Sequence, residues 1–527
     1  MIGQKNTHHW IQAIRSRSRD LISRLESIYG SNESLLEERL HALLETAMRF
    51  SEAFGERDVS FVRAPGRLNT VGMHADHRGA FINPISLDKE ILTCFSRRDD
   101  DRVEVRNLDP AYGTRSFHMC DISPDAPIRS DGEWLDWTQE KTDERKAAGV
   151  NEDWVTKLQA PPAYLHTRYP ERQLRGFDGV MGSSLPDMGG LSSSSAVIVA
   201  TTEIMTCIND IDLDDGQFVR YAGTAEWYVG TRGGFGDHAA IKCGQLGRIT
   251  HMKTLPELMI DAYLPFPDGY QIIIFDSGIQ ANKTGGAGQK FNEKTATYEI
   301  GEVYLRSYLE TRHSDAIRGV VAARKNLEIE KKFHLADVIE CIAQPEIYAL
   351  IQSLPERIDR RGLLRQLPDE EAFLKQQFAT HDEPAEGYQI RMVIAYGIAE
   401  SARSRNLKDV LNRNRVDLYG QLMNVSHDGD RIDLDAPRFD PAKDLHLQPG
   451  DYNCSIPEID EMVDLAVDAG AVGAQISGAG LGGSMMVLVE SGGVEGIIEA
   501  MRARYYRPRG IRERLTVASP VQGAGVL

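Results

Sequence analysis

The sequence predicts a mixed α/β protein, because stretches of helical and of strand periodicity both occur. Apolar residues recur at helical spacing between Ile11 and Phe50, and short β-rich runs begin at Val59. Three segments rich in glycine and serine stand where a strand-like run ends. Glycine lets a backbone approach a ligand closely, so these segments are candidates for a functional site.

Composition and charge exclude several classes of protein. The chain has 527 residues, 41% apolar and 26% charged, which rules out a single small module and wholesale disorder. A net charge of −18 argues against nucleic acid or an anionic membrane surface as a partner. No apolar run approaches the ~18 residues of a membrane span, and the first twenty residues lack the apolar core of a secretory signal. Six scattered cysteines without a C-x-x-C pair favour a cytoplasmic protein with reduced thiols.

The regions outside the glycine-rich segments have distinct patterns. Two amphipathic helices are predicted over 11–28 and 35–50, where Ser31 or Asn32 can cap the second. We expect them to be packing or oligomerisation elements. The acidic stretch 123–153 is predicted to be an inserted surface loop, and 307–386 has a helical composition.

The first glycine-rich segment, RAPGRLNTVGMHADHRGAFINP, concentrates polar side chains of both signs. Arg67, His74, Asp76, His77 and Arg78 fall within twelve residues. Carboxylates that accept and arginines that donate can hold a hydroxylated ligand by fixed hydrogen bonds. A solvent-facing polar loop is the alternative.

The second segment, GSSLPDMGGLSSSSAVIVATTEIM, is predicted to bind phosphate. Gly189 and Gly190 permit close backbone approach, and the run Ser192–Ser195 can cap a helix that begins near Ala196. Exposed N–H groups at a helix N-terminus bind phosphate. The sequence contains no Gly-Lys dipeptide, so a standard P-loop NTPase is excluded.

The third segment, GAQISGAGLGGSMMVLVE, matches the dinucleotide fingerprint G-x-G-x-x-G only formally. The fingerprint requires a helix after Gly478, Gly480 and Gly483, whereas the β-type run MMVLV follows. We therefore predict a strand, a glycine turn and a second strand that close over a ligand, and reject a nicotinamide-dependent oxidoreductase.

Asp237, in TRGGFGDHAAIKCG, is a candidate base. A carboxylate kept anionic by a cation can accept a hydroxyl proton during phosphoryl transfer. A turn aspartate or helix cap is the alternative. A nucleophilic serine with His238 as its partner is disfavoured, because the G-x-S-x-G signature is absent.

Taken in order, PGRLNTVGMHADHRGA, GGLSSSS and GAGLGG resemble the three motifs of the galactokinase branch of the GHMP small-molecule kinases. The resemblance implies a two-lobed α/β kinase that holds ATP and Mg²⁺ in the cleft between its lobes. The implied division comprises a helical extension (1–48), an N-terminal lobe (49–255, with the acidic insert at about 123–153), a C-terminal lobe (256–510, with the helical insert at about 307–386) and a tail (511–527).

The resemblance also implies roles for single residues. Asp237 matches the aspartate that faces the reacting sugar hydroxyl, and Arg67 matches the arginine that polarises it. His74 and Asp76 match sugar-binding residues, while Ser194 and, less directly, Glu226 match metal-side groups. The implied ATP-binding residues are Gly189, Gly190, Leu191, Ser192, Ser193, Ser194, Ser195, Gly478 and Gly480.

Two departures from the family pattern concern the substrate. Met73 stands where the motif has glutamate, and His77 stands where it has tyrosine, followed by Arg78. A thioether accepts no strong hydrogen bond, so the contact to a 6-hydroxyl is lost. We therefore expect a sugar 1-kinase acting on galacturonate or L-arabinose rather than galactose, with sugar and ATP as its partners. The alternative is a catalytically silent sugar- and ATP-binding regulator, and the oligomeric state stays open.

Overall fold

The computed structural model describes residues 5–150, 153–186, 189–231, 233–280, 286–322 and 333–527. The strands are β1 (Lys5–Asn6), β2 (Asp58–Asn69), β3 (Pro84–Arg97), β4 (Arg102–Asn107), β5 (Thr114–His118), β6 (Phe177–Ser183), β7 (Arg248–Lys253), β8 (Met259–Pro265), β9 (Tyr270–Asp276), β10 (Gly473–Ile476), β11 (Ser484–Glu490), β12 (Leu515–Ala518) and β13 (Gly525–Val526). The helices are α1 (Thr7–Arg15), α2 (Arg19–Tyr29), α3 (Glu33–Phe54), α4 (Asp131–Ala147), α5 (Val155–Arg168), α6 (Ser193–Ile208), α7 (Asp215–Ala225), α8 (Gly236–Cys243), α9 (Gly286–Arg312), α10 (Ser314–Ala322), α11 (Val338–Cys341), α12 (Gln344–Ser353), α13 (Arg360–Gln366), α14 (Glu371–Phe378), α15 (Ile390–Asn412), α16 (Val416–Asp430), α17 (Pro457–Asp468), α18 (Val494–Met501) and α19 (Arg507–Arg509).

The larger sheet has the strand order β1-β2-β3-β6-β4-β5, and β13 also pairs with β2. Its neighbours are antiparallel except β4 and β6, which are parallel. Strands β2 and β3 are buried along nearly their whole length. Strands covered on both faces need not alternate between apolar and polar positions, which explains why Phe61 and Val62, neighbours in the chain, are both buried.

Helices cover both faces of this sheet. Phe61 packs in the apolar cluster formed with α1, α2 and α3, whereas Val62 packs on the opposite face with α5 and α6. The predicted N-terminal helices are confirmed, although the first is split into α1 and α2. Asn32 caps α3 by accepting a hydrogen bond from the Leu35 amide. Because their apolar side is buried on the sheet, these helices are packing elements.

A second, antiparallel sheet of order β10-β11-β9-β12 forms the core of the C-terminal half. Helices α17 and α18 cover one face, where Ile273 and Phe275 point. On the other face, Ile272 and Ile274 join α16 and the β3 side chain Leu87 in a single cluster. One apolar cluster thus spans the two sheets and fixes their separation. None of the described helices is both long and apolar enough to cross a membrane.

The acidic stretch 123–153 is not simply a loop, because it contains α4. Ser130 caps this helix, and Trp134 is fully buried against Tyr164 with ring centroids 5.1 Å apart. Trp137 stacks on Tyr228 at 5.7 Å. The loop prediction was wrong because the polar flanks concealed a helix anchored by two tryptophans. Residues 151 and 152 lie outside the described part of the chain.

Two other sequence boundaries fall inside structural elements. Position 307 lies within α9, which belongs to one apolar cluster with α12 and α15. Residues 323–332 of the predicted helical insert lie outside the described residues. The predicted tail, 511–527, contributes β12 to the C-terminal sheet and β13 to the N-terminal sheet. The chain end therefore joins the two sheets.

A buried charged network fastens the N-terminal helices to β2 and β3. Glu90 accepts hydrogen bonds from Arg63 at 2.6 Å, Arg39 at 3.2 Å and the Tyr29 hydroxyl at 2.5 Å. Arg63 Nη1 donates to the carbonyl oxygens of Gln522 and Gly523, each at 2.6 Å. Burial alone would raise the pKa of Glu90, but the two guanidinium groups lower it. We call this set of residues, with the two chain-end carbonyls, the closed network.

Candidate functional site

Arg67 lies on β2 directly after a break in strand pairing. The register with β3 shifts between Pro65 and Arg67, and such bulges redirect side chains beside functional sites. At the bulge, a Cβ on Gly66 would lie 2.5 Å from Leu185 Cδ2 and 3.1 Å from the Leu191 carbonyl oxygen. Glycine is therefore required where the second glycine-rich segment rests on β2.

Asp237 lies in the first turn of α8 and is bound by Arg67 and by a serine hydroxyl. Arg67 Nε donates to Asp237 Oδ1 at 2.7 Å, and Ser192 Oγ donates to Oδ2 at 2.5 Å. Arg67 Nη1 also donates to the Gly190 carbonyl oxygen at 2.8 Å. The Asp237 side chain is 37% exposed and the Arg67 side chain 13%. The pair is therefore anchored on one side and open on the other.

Electrostatics keep Asp237 ionised. Burial raises the pKa of its carboxyl, but the charge of Arg67 and the hydrogen bonds from Arg67 and Ser192 outweigh burial and lower the pKa. The arginine expected beside this aspartate is present, and its charge favours the ionised carboxylate. A carboxylate with a low pKa and an open side can accept a hydrogen bond from a hydroxyl ligand.

The glycine-rich loop before α8 brings Asp76 close to this pair. A Cβ on Gly234 or Gly236 would lie 2.9 or 3.1 Å from Asp76 Oδ2. His77 Nδ1 lies 3.0 Å from Asp76 Oδ1. Burial raises the pKa of Asp76, but the His77 hydrogen bond and positive charges lower it to about 2. The structure thus places a second anionic acceptor beside the loop that carries Asp237.

The His74 side chain points into the C-terminal half of the molecule, whereas Met73 contacts Asn69 at the end of β2. The His74 ring stacks on Tyr452 with centroids 4.5 Å apart, and its Nε2 lies 3.4 Å from Asp430 Oδ1. Burial lowers the pKa of His74, but Asp430 and other carboxylates raise it overall. The buried Met73 side chain packs against Asn69, whose Nδ2 lies 3.9 Å from the sulfur. Position 73 therefore offers no strong hydrogen-bond acceptor.

The Arg78 side chain contacts α9. Its side chain is buried, Nη1 donates to Glu299 at 2.7 Å and lies 3.5 Å from Glu302. The guanidinium also lies 4.9 Å from the centroid of the Tyr298 ring. Glu299 and Glu302 thus neutralise the charge of Arg78, the residue that the sequence suggested as a partner for an acidic sugar.

The second and third glycine-rich segments interlock. A Cβ on Gly189 would lie 3.1 Å from the Gly483 Cα, and one on Gly478 would lie 3.1 Å from the Gly190 Cα. Ser484 Oγ donates to the Gly189 carbonyl oxygen at 2.8 Å. Strands β10 and β11 flank the third segment as an antiparallel pair. The predicted strand-turn-strand arrangement is confirmed and excludes a Rossmann unit.

The predicted nucleotide-binding residues converge where these segments meet. The predicted helix is present as α6, but it begins at Ser193 rather than near Ala196. Ser192, at the N-cap position with a φ of 56°, makes no side-chain capping hydrogen bond, because its hydroxyl binds Asp237. Leu191 is buried. Gly480 packs on the C-terminal half, because a Cβ there would lie 2.1 Å from the Cys454 carbonyl oxygen. The first residue of α6, Ser193, is exposed just after the glycines of the second segment, an arrangement suited to phosphate.

The hydroxyl that reaches Glu226 belongs to Ser195. Ser195 Oγ donates to Glu226 Oε1 at 3.1 Å, and His238 Nε2 lies 3.4 Å from the other carboxylate oxygen. Ser194, the residue that matched the family's metal-side serine, has no side-chain hydrogen bond within the described ranges. His238 contacts Glu226 while Ser192 binds Asp237, so these residues form no Ser-His-Asp triad.

Several residues of the site had no signal in the sequence. Asp430 and Tyr452 flank His74, although they lie more than 350 positions from it in the chain. Ser192 was predicted only as part of the phosphate-binding loop. Its bond to Asp237 depends on the loop folding over β2, which local periodicity does not report.

Comparisons with known proteins match the same parts of the chain. The model "GHMP kinases N terminal domain" matches residues 161–245, and "GHMP kinases C terminal" matches 407–507. The galactokinase galactose-binding signature matches residues 48–97. The galactokinase of Streptomyces coelicolor is 24% identical over 480 residues, covering 90% of this chain and 96% of its own. That of Chloroflexus aggregans is 25% identical over 464 residues, covering 86% and 90%.

A solved structure shows the same fold. The crystal structure of Lactococcus lactis galactokinase in complex with galactose aligns with a TM-score of 0.59 at 19% identity, covering 92% of this chain and 99% of that one. This likeness shows a shared fold, and the two domain matches identify GHMP kinase N-terminal and C-terminal domains in this chain. With the galactose-binding signature, the chain is similar to galactokinases, and the matches indicate a phosphotransferase with an alcohol group as acceptor.

Proposed function

We propose that this protein is a sugar 1-kinase that transfers the γ-phosphoryl group of ATP to the anomeric hydroxyl of a galactose-configured sugar. The observation that carries the proposal is the Arg67–Asp237 pair, held by Ser192 and open on one side. Asp76 supplies a further anionic acceptor from the neighbouring turn. Such acceptors suit a ligand that offers several hydroxyl donors.

In the proposed reaction, Asp237 positions the anomeric hydroxyl and accepts its proton. The hydroxyl oxygen attacks the γ-phosphorus, the bond to the β,γ-bridging oxygen breaks, and ADP leaves with that electron pair. Arg67 keeps Asp237 ionised before the reaction and neutralises charge that develops on the transferred group. The lowered pKa of Asp237 keeps it ionised, so it can orient the hydroxyl before reaction and take up the proton once the hydroxyl becomes acidic as the O–P bond forms.

We further propose that Glu226 and the adjacent serine hydroxyls hold Mg²⁺ together with ATP. The chemistry of the donors fits, because a carboxylate and hydroxyls are hard oxygen ligands. Within the described ranges, no group of three or more His, Cys, Asp or Glu side chains is arranged to hold a metal. This fits a site completed by phosphate oxygens and water. Bound Mg²⁺ would offset the negative charge of the phosphates. Ser195, which binds Glu226, is the nearer ligand candidate than Ser194.

Among the two expected substrates, the geometry favours L-arabinose over galacturonate. Arg78 is buried and neutralised by Glu299 and Glu302. His77 is bonded to Asp76, and burial together with the Arg78 charge lowers its pKa. Neither residue therefore offers a free positive charge to a sugar carboxylate. Met73 supplies no acceptor for a 6-hydroxyl, which L-arabinose lacks.

A coupled kinase assay over galactose, L-arabinose, galacturonate and N-acetylgalactosamine tests this proposal, with phosphorus NMR to identify the phosphorylated oxygen. We expect the highest kcat/KM for L-arabinose and phosphate on the anomeric oxygen. Asp237→Asn, prepared in parallel, controls for a contaminating kinase. Preference for galactose would overturn the inference from Met73, and preference for galacturonate would overturn the inference from Arg78.

The same assay addresses the silent-regulator alternative. A protein that binds ATP and sugar without catalysis would shift in thermal stability with both ligands, yet would give no ADP beyond the Asp237→Asn background. That result would replace the kinase proposal.

A further inference from the structure

A carboxylate from the C-terminal half holds the turn that presents the sugar-binding residues. Glu400, on α15, accepts hydrogen bonds from the backbone N–H of Gly72 at 2.8 Å and of Met73 at 2.9 Å, both through Oε1. The next residue, His74, has a φ of 56°. One oxygen atom thus anchors the turn immediately before the side chains assigned to the sugar.

The Glu400 side chain is held in place by Arg403. Arg403 Nε donates to Glu400 Oε2 at 2.7 Å, and neither side chain is exposed to solvent. Arg403 Nη1 also donates to the Gln448 carbonyl oxygen at 2.6 Å. The Arg403 guanidinium therefore binds Glu400 Oε2, and Oε1 stays directed at the Gly72–Met73 turn. A charged acceptor makes stronger hydrogen bonds than a neutral one.

Position 72 leaves little room for another arrangement. A Cβ on Gly72 would lie 2.7 Å from the Phe81 carbonyl oxygen, and the residue has a φ of 104°. The Asn69 side-chain amide donates through Nδ2 to the Gly72 carbonyl oxygen at 2.8 Å and accepts nothing from the Gly72 or Met73 N–H groups. The Gly72 and Met73 amide groups thus depend on Glu400, and buried amides rarely remain unpaired.

We propose that Glu400 is a positioning residue for sugar binding: it fixes the Gly72–Met73 turn, and through it His74 and Asp76, from the opposite half of the molecule. This inference rests on the proposed function for its kinetic consequence. The contact itself also couples α15 to the substrate turn, so any shift of the helix relative to β2 would move the sugar-binding side chains.

The test compares two variants that differ only at position 400. In an Arg403→Gln background, which removes the partner charge, Glu400→Gln keeps an oxygen acceptor for the two amides and Glu400→Leu removes it at similar size. We expect the Leu variant to raise the KM for the preferred sugar at least tenfold over the Gln variant, with the KM for ATP unchanged. Ser401→Ala removes a buried hydrogen bond of the same helix to Gly397 and should leave both constants unchanged.

A purely structural role would lower the melting temperature of both Arg403→Gln variants without separating their sugar KM values, and that outcome would overturn the proposal. If the Leu variant does not fold, Glu400→Asp with Arg403 intact decides, because it keeps the charge and withdraws the acceptor by one methylene. If the Glu400→Asp variant has the same sugar KM as the unmodified protein, the positioning role of Glu400 is wrong.

Hydrogen exchange separates this inference from the proposed function. The Gly72 and Met73 amides should exchange slowly in the unmodified protein and at least tenfold faster in the Glu400→Asp variant, whether or not any sugar is phosphorylated. Unchanged exchange would refute the positioning role. Absence of turnover with every sugar would refute the kinase proposal and leave the exchange result intact.

Discussion

Strand β2 carries two arginine-carboxylate pairs four residues apart, and they differ in how completely they are surrounded. In the closed network, the Arg63 and Glu90 side chains are each 1% exposed. In the Arg67–Asp237 pair, the carboxylate is 37% exposed. The guanidinium nitrogen and the carboxylate oxygen lie 2.6 Å apart in the first pair and 2.7 Å apart in the second, so the two pairs differ in exposure and hardly in contact distance.

Burial and the number of donors to the carboxylate explain the difference. Glu90 is bonded to Arg63, Arg39 and Tyr29, and Arg63 also binds the Gln522 and Gly523 carbonyls, so packing closes this pair to a ligand. Asp237 receives Arg67 and Ser192 and keeps an exposed side. A sealed ion pair specifies how elements pack, whereas a partly exposed one is available for chemistry.

Removing the carboxylate charge of the open pair should have the largest effect. Asp237→Asn retains the shape but cannot take the hydroxyl proton, so we expect kcat to fall by about 10³-fold or more. Steady-state kinetics with the preferred sugar measure the change, and circular dichroism checks the fold. A variant that is folded and retains more than a tenth of the wild-type kcat would disprove the role assigned to Asp237.

The matching change in the closed network should affect stability instead. Glu90→Gln leaves Arg63 and Arg39 buried without their counter-charge, so the free energy of unfolding should fall by about 3–5 kcal/mol. Urea denaturation measures this loss. Asp100→Asn, at a half-exposed carboxylate paired with Arg98, is the control and should cost little. At a temperature where Glu90→Gln is folded, a kcat as low as that of Asp237→Asn would erase the distinction between the two pairs.

Removing the cation of the open pair should move a pH profile. The wild-type pKa of Asp237 lies below the usual value, so activity persists as pH falls and is lost only when pH drops through that low pKa. In Arg67→Gln, burial acts without the opposing charge and raises the pKa. We expect kcat/KM to fall about 10²-fold and its acid limb to shift to higher pH. An acid limb at the wild-type position would show that Arg67 does not control the ionisation of Asp237.

The sequence was sufficient for features encoded locally. Helix α6 follows from the serine run, and the β10–turn–β11 arrangement follows from the apolar run after Gly483. The helical period predicts a cap at Ser31 or Asn32, and the structure selects Asn32. The Arg67–Asp237 pairing came from a resemblance to known motifs, because no local pattern joins residues 170 positions apart.

The features that the sequence did not reveal depend on tertiary contacts. Composition suggested a loop where Trp134 finds a buried site and stabilises α4. Arg78 stands beside sugar-binding positions in the chain, yet its side chain turns to α9 because Glu299 and Glu302 lie there. Glu400 is separated from Gly72 by 328 positions. The burial of such side chains and their hydrogen-bond partners are set by tertiary packing, which local sequence patterns do not report.

The pairing of β13 with β2 has a consequence for the order of folding. Gly525 pairs with Arg63 and Val526 with Val62, and Arg63 also needs the carbonyl groups of Gln522 and Gly523. During synthesis, β2 can pair with β1 and β3 before residues 522–526 have left the ribosome, but Arg63 lacks two of its hydrogen-bond acceptors until then. The N-terminal sheet can therefore collapse early, whereas the closed network is completed only after residues 522–526 have been made.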